Sequence, residues 1–143
     1  KLEILLQIAR GLNYIHNRHI IHFDIKTDNI FLIKEKNSFK AKIMDFGLAN
    51  FAEDFAGKVR GTLVYIAPEV LLKKDIDYRV DLYSLGMVIY YIFSNKLPFD
   101  ECKSVKEIVQ KKLEESFRTE QEYKSIKENF VKNLIKDLCG ARK

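Results

Sequence analysis

Side chains able to bind a metal ion lie at both ends of a predicted β-hairpin. Asn29 directly precedes the first apolar run of the hairpin, and Asp45 directly follows the second. Because a hairpin brings its two ends together, we expect this amide and this carboxylate to be neighbours in space. Amide and carboxylate oxygens are ligands that Mg²⁺ accepts, especially beside bound phosphates. The pair therefore predicts a magnesium site.

Two further side chains in the same loop suit the transfer of a phosphoryl group. Asp24 can accept a proton from a hydroxyl group, and Lys26 can offset negative charge on the group that is transferred. Enzymes catalyse phosphoryl transfer mostly by positioning the reactants and neutralising charge. Together with the predicted magnesium ligands, these residues predict a phosphotransferase site.

The hairpin that positions these residues is predicted from two short apolar runs. Strands are expected at Ile30–Ile33 and Ala41–Met44, joined by the polar turn Lys34–Lys40 and preceded by a loop at His19–Asn29. Residues 45–69 carry turn-forming residues and little periodicity. We predict a long structured loop there, and such loops in compact domains are usually functional.

Helices are predicted before and after the hairpin, because apolar residues recur there three and four positions apart. The first covers residues 1–17, and an apolar central helix covers residues 80–94. Two more are marked by apolar stripes, Val105, Ile108, Val109 and Leu113 in one, and Ile126, Phe130, Leu134 and Leu138 in the other. The predicted fold is mainly α with a short β-hairpin.

Composition favours one globular domain over residues 1–143, with 47% hydrophobic and 31% charged residues. Because Lys1 lies at the start of a predicted helix, we expect a piece of a longer chain. The longest apolar stretch, Val80–Phe93, is too short to span a bilayer, so no membrane segment is expected. Cys102 and Cys139 lack the spacing of metal ligands, which favours reduced thiols in a cytoplasmic protein.

The net charge of +5 is not concentrated in a way that indicates a nucleic-acid partner. Lysines follow glutamates at a spacing of four, as in Glu107 with Lys111 and Glu120 with Lys124. That spacing is typical of solvated helix faces. The basic balance is the only feature that favours a nucleic-acid partner, so nucleic acid is not expected to bind.

Five segments, in the same order, resemble the catalytic domain of the protein kinases. His22–Asn29 matches the catalytic loop H-R-D-x-K-x-x-N, Asp45–Gly47 matches D-F-G, and Ala67–Glu69 matches A-P-E. Gly61–Tyr65 resembles the segment that seats the substrate of serine/threonine kinases, and Asp81–Gly86 the buried helix that anchors the catalytic loop. The resemblance covers essentially the whole chain. It implies the C-terminal lobe of the protein-kinase-like fold, which is α+β overall.

The resemblance also implies roles for single residues. Asp24 would be the catalytic base, and Lys26 would contact the γ-phosphate of ATP. Asn29 and Asp45 would hold Mg²⁺, and Thr62 would favour serine or threonine as the acceptor. The implied activity is that of a transferase in signalling, which moves a phosphoryl group from ATP to serine or threonine of a protein substrate.

One departure from the family pattern concerns regulation. Phe23 replaces the usual arginine before the catalytic aspartate, and residues 48–60 contain no Ser, Thr or Tyr. The arginine that receives an activation-loop phosphate and the hydroxyl that carries it are therefore both missing. We hypothesise that phosphorylation in that stretch does not switch the lobe and that Phe51 and Phe55 hold the loop by packing. Activation by phosphate on Thr62 would contradict this. The replacement resembles that in some plant receptor-like kinases and fits the tyrosine-kinase-like group.

Other departures concern the two ends of the kinase domain. The 143 residues contain no G-x-G-x-x-G phosphate loop and no upstream strand lysine. We therefore expect the N-terminal lobe elsewhere in a parent chain, and weak nucleotide affinity for residues 1–143 alone. Arg142 is the candidate partner of Glu69, although it arrives a few residues early for the family pattern.

Three alternatives stay open on the sequence. A pseudokinase, or an isolated lobe that serves as a binding scaffold, would share the fold, and the sequence before Lys1 would discriminate. Small-molecule phosphotransferases share H-x-D-x-x-x-x-N but lack A-P-E and Gly61–Thr62. A metal site is suggested by His16, His19 and His22, but no carboxylate or thiol completes that set. His22 is instead expected to pack and hydrogen-bond in the core.

Overall fold

A β-hairpin lies among six α-helices in the computed structural model, which describes residues 1–51, 63–72, 74, 76–99 and 101–140. The helices in those ranges are α1 (Leu2–His16), α2 (Pro68–Leu71), α3 (Arg79–Ser94), α4 (Val105–Leu113), α5 (Gln121–Ser125) and α6 (Asn129–Cys139). The predicted fold class, mainly α with a short β-hairpin, is confirmed. No helix within these residues is both long and apolar enough to cross a bilayer.

Short strands form two antiparallel pairs, β1 (Ile20–Ile21) with β4 (Asn50–Phe51) and β2 (Ile30–Lys34) with β3 (Phe39–Ile43). The second pair is the predicted hairpin, and Ile30 lies opposite Ile43 in its register. The ladder extends by one bond, because the Met44 N–H donates to the Asn29 carbonyl over 2.9 Å. Asp45 follows Met44 directly, so the hairpin places Asn29 and Asp45 at the same end.

Helix α3 forms the centre of the fold and is buried over most of its length. Two other helices contribute apolar stripes to the same core, α1 through Leu5, Ile8, Leu12 and Ile15, and α6 through Val131, Ile135 and Cys139. Because α3 is apolar on nearly every side, it can be covered by several elements at once. The loops that carry the polar residues therefore rest on a packed helical base.

The stripe predicted for α6 is wrong at its two central positions, whereas Ile126 is buried and Leu138 packs against the core as expected. Phe130 is 53% exposed and Leu134 is 38% exposed, whereas Val131 and Ile135 are fully buried. Both stripes are apolar at a spacing of four, so periodicity alone does not separate them. The packing decides, because α3 and α6 approach closely where a Cβ on Gly86 would collide with the sulfur of Cys139.

Candidate active site

Asp81, in the first turn of α3, holds the start of the loop at residues 22–29, which we name the 22–29 loop. Its fully buried carboxylate accepts hydrogen bonds from the backbone N–H groups of His22 (2.8 Å) and Phe23 (2.9 Å). His16 Nε2 lies 2.8 Å from the same carboxylate. Because buried charges are stable only when their hydrogen bonds are satisfied, three donors make Asp81 a firm anchor for the loop. This is the role expected from the sequence.

Phe23 bends the backbone directly before Asp24. Its φ of 66° is unusual for a residue with a side chain, and such conformations cost about 1–3 kcal/mol unless the surroundings hold them. The Phe23 side chain is 7% exposed and belongs to the hydrophobic core, while its N–H is bound by Asp81. Packing and hydrogen bonding thus stabilise the bend that leads into Asp24.

His22 connects the 22–29 loop to the residues that follow the hairpin. Its ring is fully buried, with Nε2 3.1 Å from the Met44 carbonyl and Nδ1 3.3 Å from the Asp24 backbone N–H. Because the Asp24 N–H must donate to Nδ1, we assign the proton to Nε2. The ring also meets Phe46 edge to face at 4.7 Å. The structural role expected for His22 agrees with these contacts.

Asp24 lies at the centre of the candidate site and is 7% exposed. Its Oδ2 lies 2.8 Å from Lys26 Nζ and accepts a hydrogen bond from Asn29 Nδ2 at 2.9 Å. Its Oδ1 is buried and has no hydrogen-bond partner within the described ranges. Leaving a buried carboxylate oxygen without a donor is costly, and such exceptions often mark functional atoms. Oδ1 is therefore an acceptor whose hydrogen-bonding capacity is unused by the described residues.

Lys26 is a cation held against this carboxylate. Its pKa is raised, first by the hydrogen bond with Asp24 and then by the negative charges of Asp24, Asp28 and Asp45, while burial acts in the opposite direction. Lys26 therefore remains protonated at neutral pH. The contribution of Asp45 agrees with the register of the hairpin, which places Asp45 at the same end as Asn29.

Asn29 and Asp45 offer oxygen ligands for a hard cation. Both hydrogens of the Asn29 amide nitrogen point to Asp24, to its carbonyl oxygen at 2.8 Å and its carboxylate at 2.9 Å, which fixes the orientation of the amide. Asp45 has a φ of 61° and is exposed, and its Oδ1 accepts the Gly47 N–H at 3.1 Å. An amide oxygen and an exposed carboxylate fit Mg²⁺ chemically.

Tyr65 joins the 22–29 loop to the segment that precedes α2. Its hydroxyl lies 3.2 Å from Thr27 Oγ1, and its side chain is buried. The sequence assigned no role to Thr27, because a hydroxyl at that position has no distinctive spacing. Of the predicted site residues, the structure brings Asp24, Lys26 and Asn29 into contact and places Asp45 beside them. Four predictions fall outside the described residues, those for Thr62, Phe55, Arg142 and the side chain of Phe51.

Comparison with known proteins supplies a family for this arrangement. The family model for the protein kinase domain matches residues 2–142. Serine/threonine-protein kinase pkn2 of Myxococcus xanthus is 41% identical over 106 residues, covering 69% of this chain and 13% of that protein. Serine/threonine-protein kinase dkf-2 of Caenorhabditis briggsae is 32% identical over 137 residues, covering 92% of this chain and 11% of that protein.

A third relative, sperm motility kinase 3A of Mus musculus, is 40% identical over 111 residues, covering 75% of this chain and 21% of that protein. The chain thus spans less than a quarter of the length of each of these three relatives.

Proposed function

We propose that this chain, which belongs to the protein kinase domain family, carries the phosphotransfer residues of an ATP- and Mg²⁺-dependent serine/threonine protein kinase. The observation that carries the proposal is the state of the Asp24 carboxylate. One of its oxygens is held by Lys26 and Asn29, and the other is buried without a partner among the described residues. Such a carboxylate has a fixed orientation and one oxygen atom that could accept a proton from a hydroxyl group.

Asp24 would act as the base for the acceptor hydroxyl. As the hydroxyl oxygen bonds to the γ-phosphorus of ATP, the bond from that phosphorus to the ADP oxygen breaks, and Asp24 Oδ1 takes the hydroxyl proton. Lys26, which remains protonated, would offset charge on the transferred group. Asn29 and Asp45 would hold Mg²⁺, which when bound neutralises phosphate charge. Thr62 would favour serine or threonine as the acceptor.

We further propose that residues 1–143 are the C-terminal lobe of the kinase domain, with the N-terminal lobe supplied by the parent chain. The sequence has no glycine-rich phosphate loop, and its relatives are several times longer. Exposed apolar side chains on the hairpin and directly after it support the arrangement, since Phe31, Leu32, Phe39, Met44 and Phe46 are each 45–56% exposed. A second lobe would cover those on the face of the hairpin that it contacts. A cytoplasmic location belongs to the same proposal.

The hypothesis that the lobe is not switched by activation-loop phosphorylation is also part of the proposal. Its support is the burial of Phe23, which packs in the hydrophobic core at the position where the family pattern H-R-D has an arginine. An arginine there could pair with a phosphate, whereas a buried phenylalanine has no group that could do so. Phe23 therefore favours a kinase whose activity does not depend on phosphorylation of residues 45–61.

A phosphotransfer assay on the full-length protein tests the proposal. With labelled Mg·ATP and peptide pools, we expect label on serine and threonine and none on tyrosine. Asp45→Asn should lower the rate at least about 100-fold, because it removes a charged ligand of the metal ion. Asp137→Asn is the matched control, since it makes the same change at an exposed position of α6. Equal transfer by wild type and Asp45→Asn, or no transfer by wild type, would contradict the proposal.

A further inference from the structure

Lys112, on helix α4, is a lysine buried in the core. It is 2% exposed, and lysines are almost never buried this fully unless their charge is satisfied. Its Nζ donates to the carbonyl oxygens of Val64 (2.7 Å) and Ile66 (2.8 Å) and lies 3.2 Å from the Tyr83 hydroxyl. An ammonium group has three N–H donors, so each has an oxygen acceptor.

The acceptors of Lys112 belong to one short stretch of irregular backbone, residues 63–67, which we name the 63–67 segment. The carbonyl between them, that of Tyr65, lies 2.8 Å from Ser84 Oγ on α3 and shares the single hydroxyl hydrogen of Ser84 with the Val80 carbonyl at 3.0 Å. Three consecutive carbonyls are therefore bound by side chains from two helices beneath. This segment lies outside any helix or strand. The side-chain hydrogen bonds therefore satisfy carbonyl groups that backbone N–H groups would satisfy in a helix or sheet.

The other side of the 63–67 segment faces the candidate active site. The Tyr65 hydroxyl lies 3.2 Å from Thr27 Oγ1, and Thr27 follows Lys26 directly. A displacement of the backbone at 64–66 would therefore move Tyr65 relative to the 22–29 loop. Helix α4 and the catalytic residues are connected through one lysine, one tyrosine and one threonine.

The surroundings of Lys112 keep this connection in place in either protonation state. Its Nζ lies 4.6 Å from the ring centre of Tyr83 and 5.5 Å from that of Phe99, which stabilises the cation. Burial lowers the pKa of Lys112 to about 7. The neutral amine still has two N–H donors, which is enough for the carbonyls of Val64 and Ile66.

We propose that Lys112, together with Ser84, is a positioning residue that holds the 63–67 segment against the 22–29 loop and so determines how tightly the acceptor peptide binds. This inference rests on the proposed kinase function, in which that segment overlaps the residues 61–65 that would seat the substrate. Neither residue touches the reacting atoms. Their contribution is to the backbone conformation of the peptide site.

The test compares Lys112→Met with wild type in the full-length protein. Methionine keeps the length and apolar volume of the side chain but removes every donor. We expect the KM for a peptide substrate to rise about tenfold, since the hydrogen bonds to the carbonyls of Val64 and Ile66 are lost. The kcat and the KM for ATP should stay within about twofold, because the 22–29 loop keeps its own anchor at Asp81. Lys106→Met, at an exposed position of the same helix, is the matched control and should change none of these values.

Hydrolysis of ATP with water as acceptor separates positioning from loss of the fold. Lys112→Met should keep this rate, since the reaction needs no peptide. If the variant loses it, Ser84→Ala decides, because it removes an independent bond to the same segment and should raise the peptide KM about threefold. An unchanged peptide KM in folded Lys112→Met, or in Ser84→Ala, would overturn the inference. Absence of transfer to both peptide and water in wild type would instead overturn the proposed function, and this inference with it.

Discussion

Asp24→Asn in the full-length protein is expected to lower kcat for peptide phosphorylation about 10³-fold, within the range by which a positioned base accelerates a reaction. Asparagine has nearly the shape of aspartate but cannot take the proton of the acceptor hydroxyl. The Asn29 amide would still donate to the backbone carbonyl oxygen of residue 24, so at least one of the two hydrogen bonds between residues 29 and 24 remains. The loss is therefore expected in the chemical step rather than in folding.

Steady-state kinetics distinguish this outcome from a binding defect. The KM for ATP should stay within about twofold in Asp24→Asn, because the loss of an interaction made only in the transition state lowers kcat alone. Asp137→Asn again provides the control for the loss of one carboxylate at an exposed position. A kcat within about tenfold of wild type would show that Asp24 is not the base.

Asp81→Asn is expected to destabilise the protein by about 3 kcal/mol, because it disturbs a buried carboxylate that binds two backbone N–H groups. The asparagine oxygen can accept only one of these bonds, and its NH₂ group would then face the other N–H donor. His16 contacts the same oxygen as the His22 N–H, so the amide loses either the Phe23 bond or both of the other two, according to its orientation. Thermal unfolding of the full-length protein should show a fall in Tm of about 6 °C or more for the transition of this domain.

A second variant tests whether the effect arises at the anchor. His16→Gln removes one of the side chains that contact Asp81 and leaves the two backbone bonds in place, so its Tm should fall by less than that of Asp81→Asn. Equal stability of Asp81→Asn and wild type would mean that the 22–29 loop is held by other contacts. Such a result would also mean that packing of the Phe23 side chain, rather than its hydrogen bond to Asp81, stabilises the backbone bend at Phe23.

The site could be predicted from the sequence further than the packing of the helices could. Asp24, Lys26 and Asn29 lie close together along the chain, and the hairpin register that brings Asp45 to them follows from two apolar runs. Asp81 was expected as an anchor from the resemblance of Asp81–Gly86 to the helix that anchors the catalytic loop of the protein kinases. Local spacing was sufficient for the residues at the ends of the hairpin, and the family resemblance was needed for Asp81.

Tertiary packing determined what the sequence did not predict. On α6, Phe130 and Leu134 form as regular a stripe as Val131 and Ile135, and the close approach of α3 selects the second pair. Lys112 stands beside Lys111 in a helix whose charges were interpreted as a solvated face, although it is 2% exposed. The pairing of β1 with β4 was missed because two-residue strands have no measurable periodicity.

A double-mutant cycle between Asp24 and Asp45 tests most directly whether both sides of the hairpin serve one transfer step. The kcat for peptide phosphorylation would be measured for wild type, Asp24→Asn, Asp45→Asn and the double variant. Residues that act as a unit show strongly non-additive losses of activity. The kcat of the double variant should therefore lie within about tenfold of the kcat of the less active single variant. Losses that multiply, as they do for independent sites, or a single variant with wild-type kcat, would contradict the account.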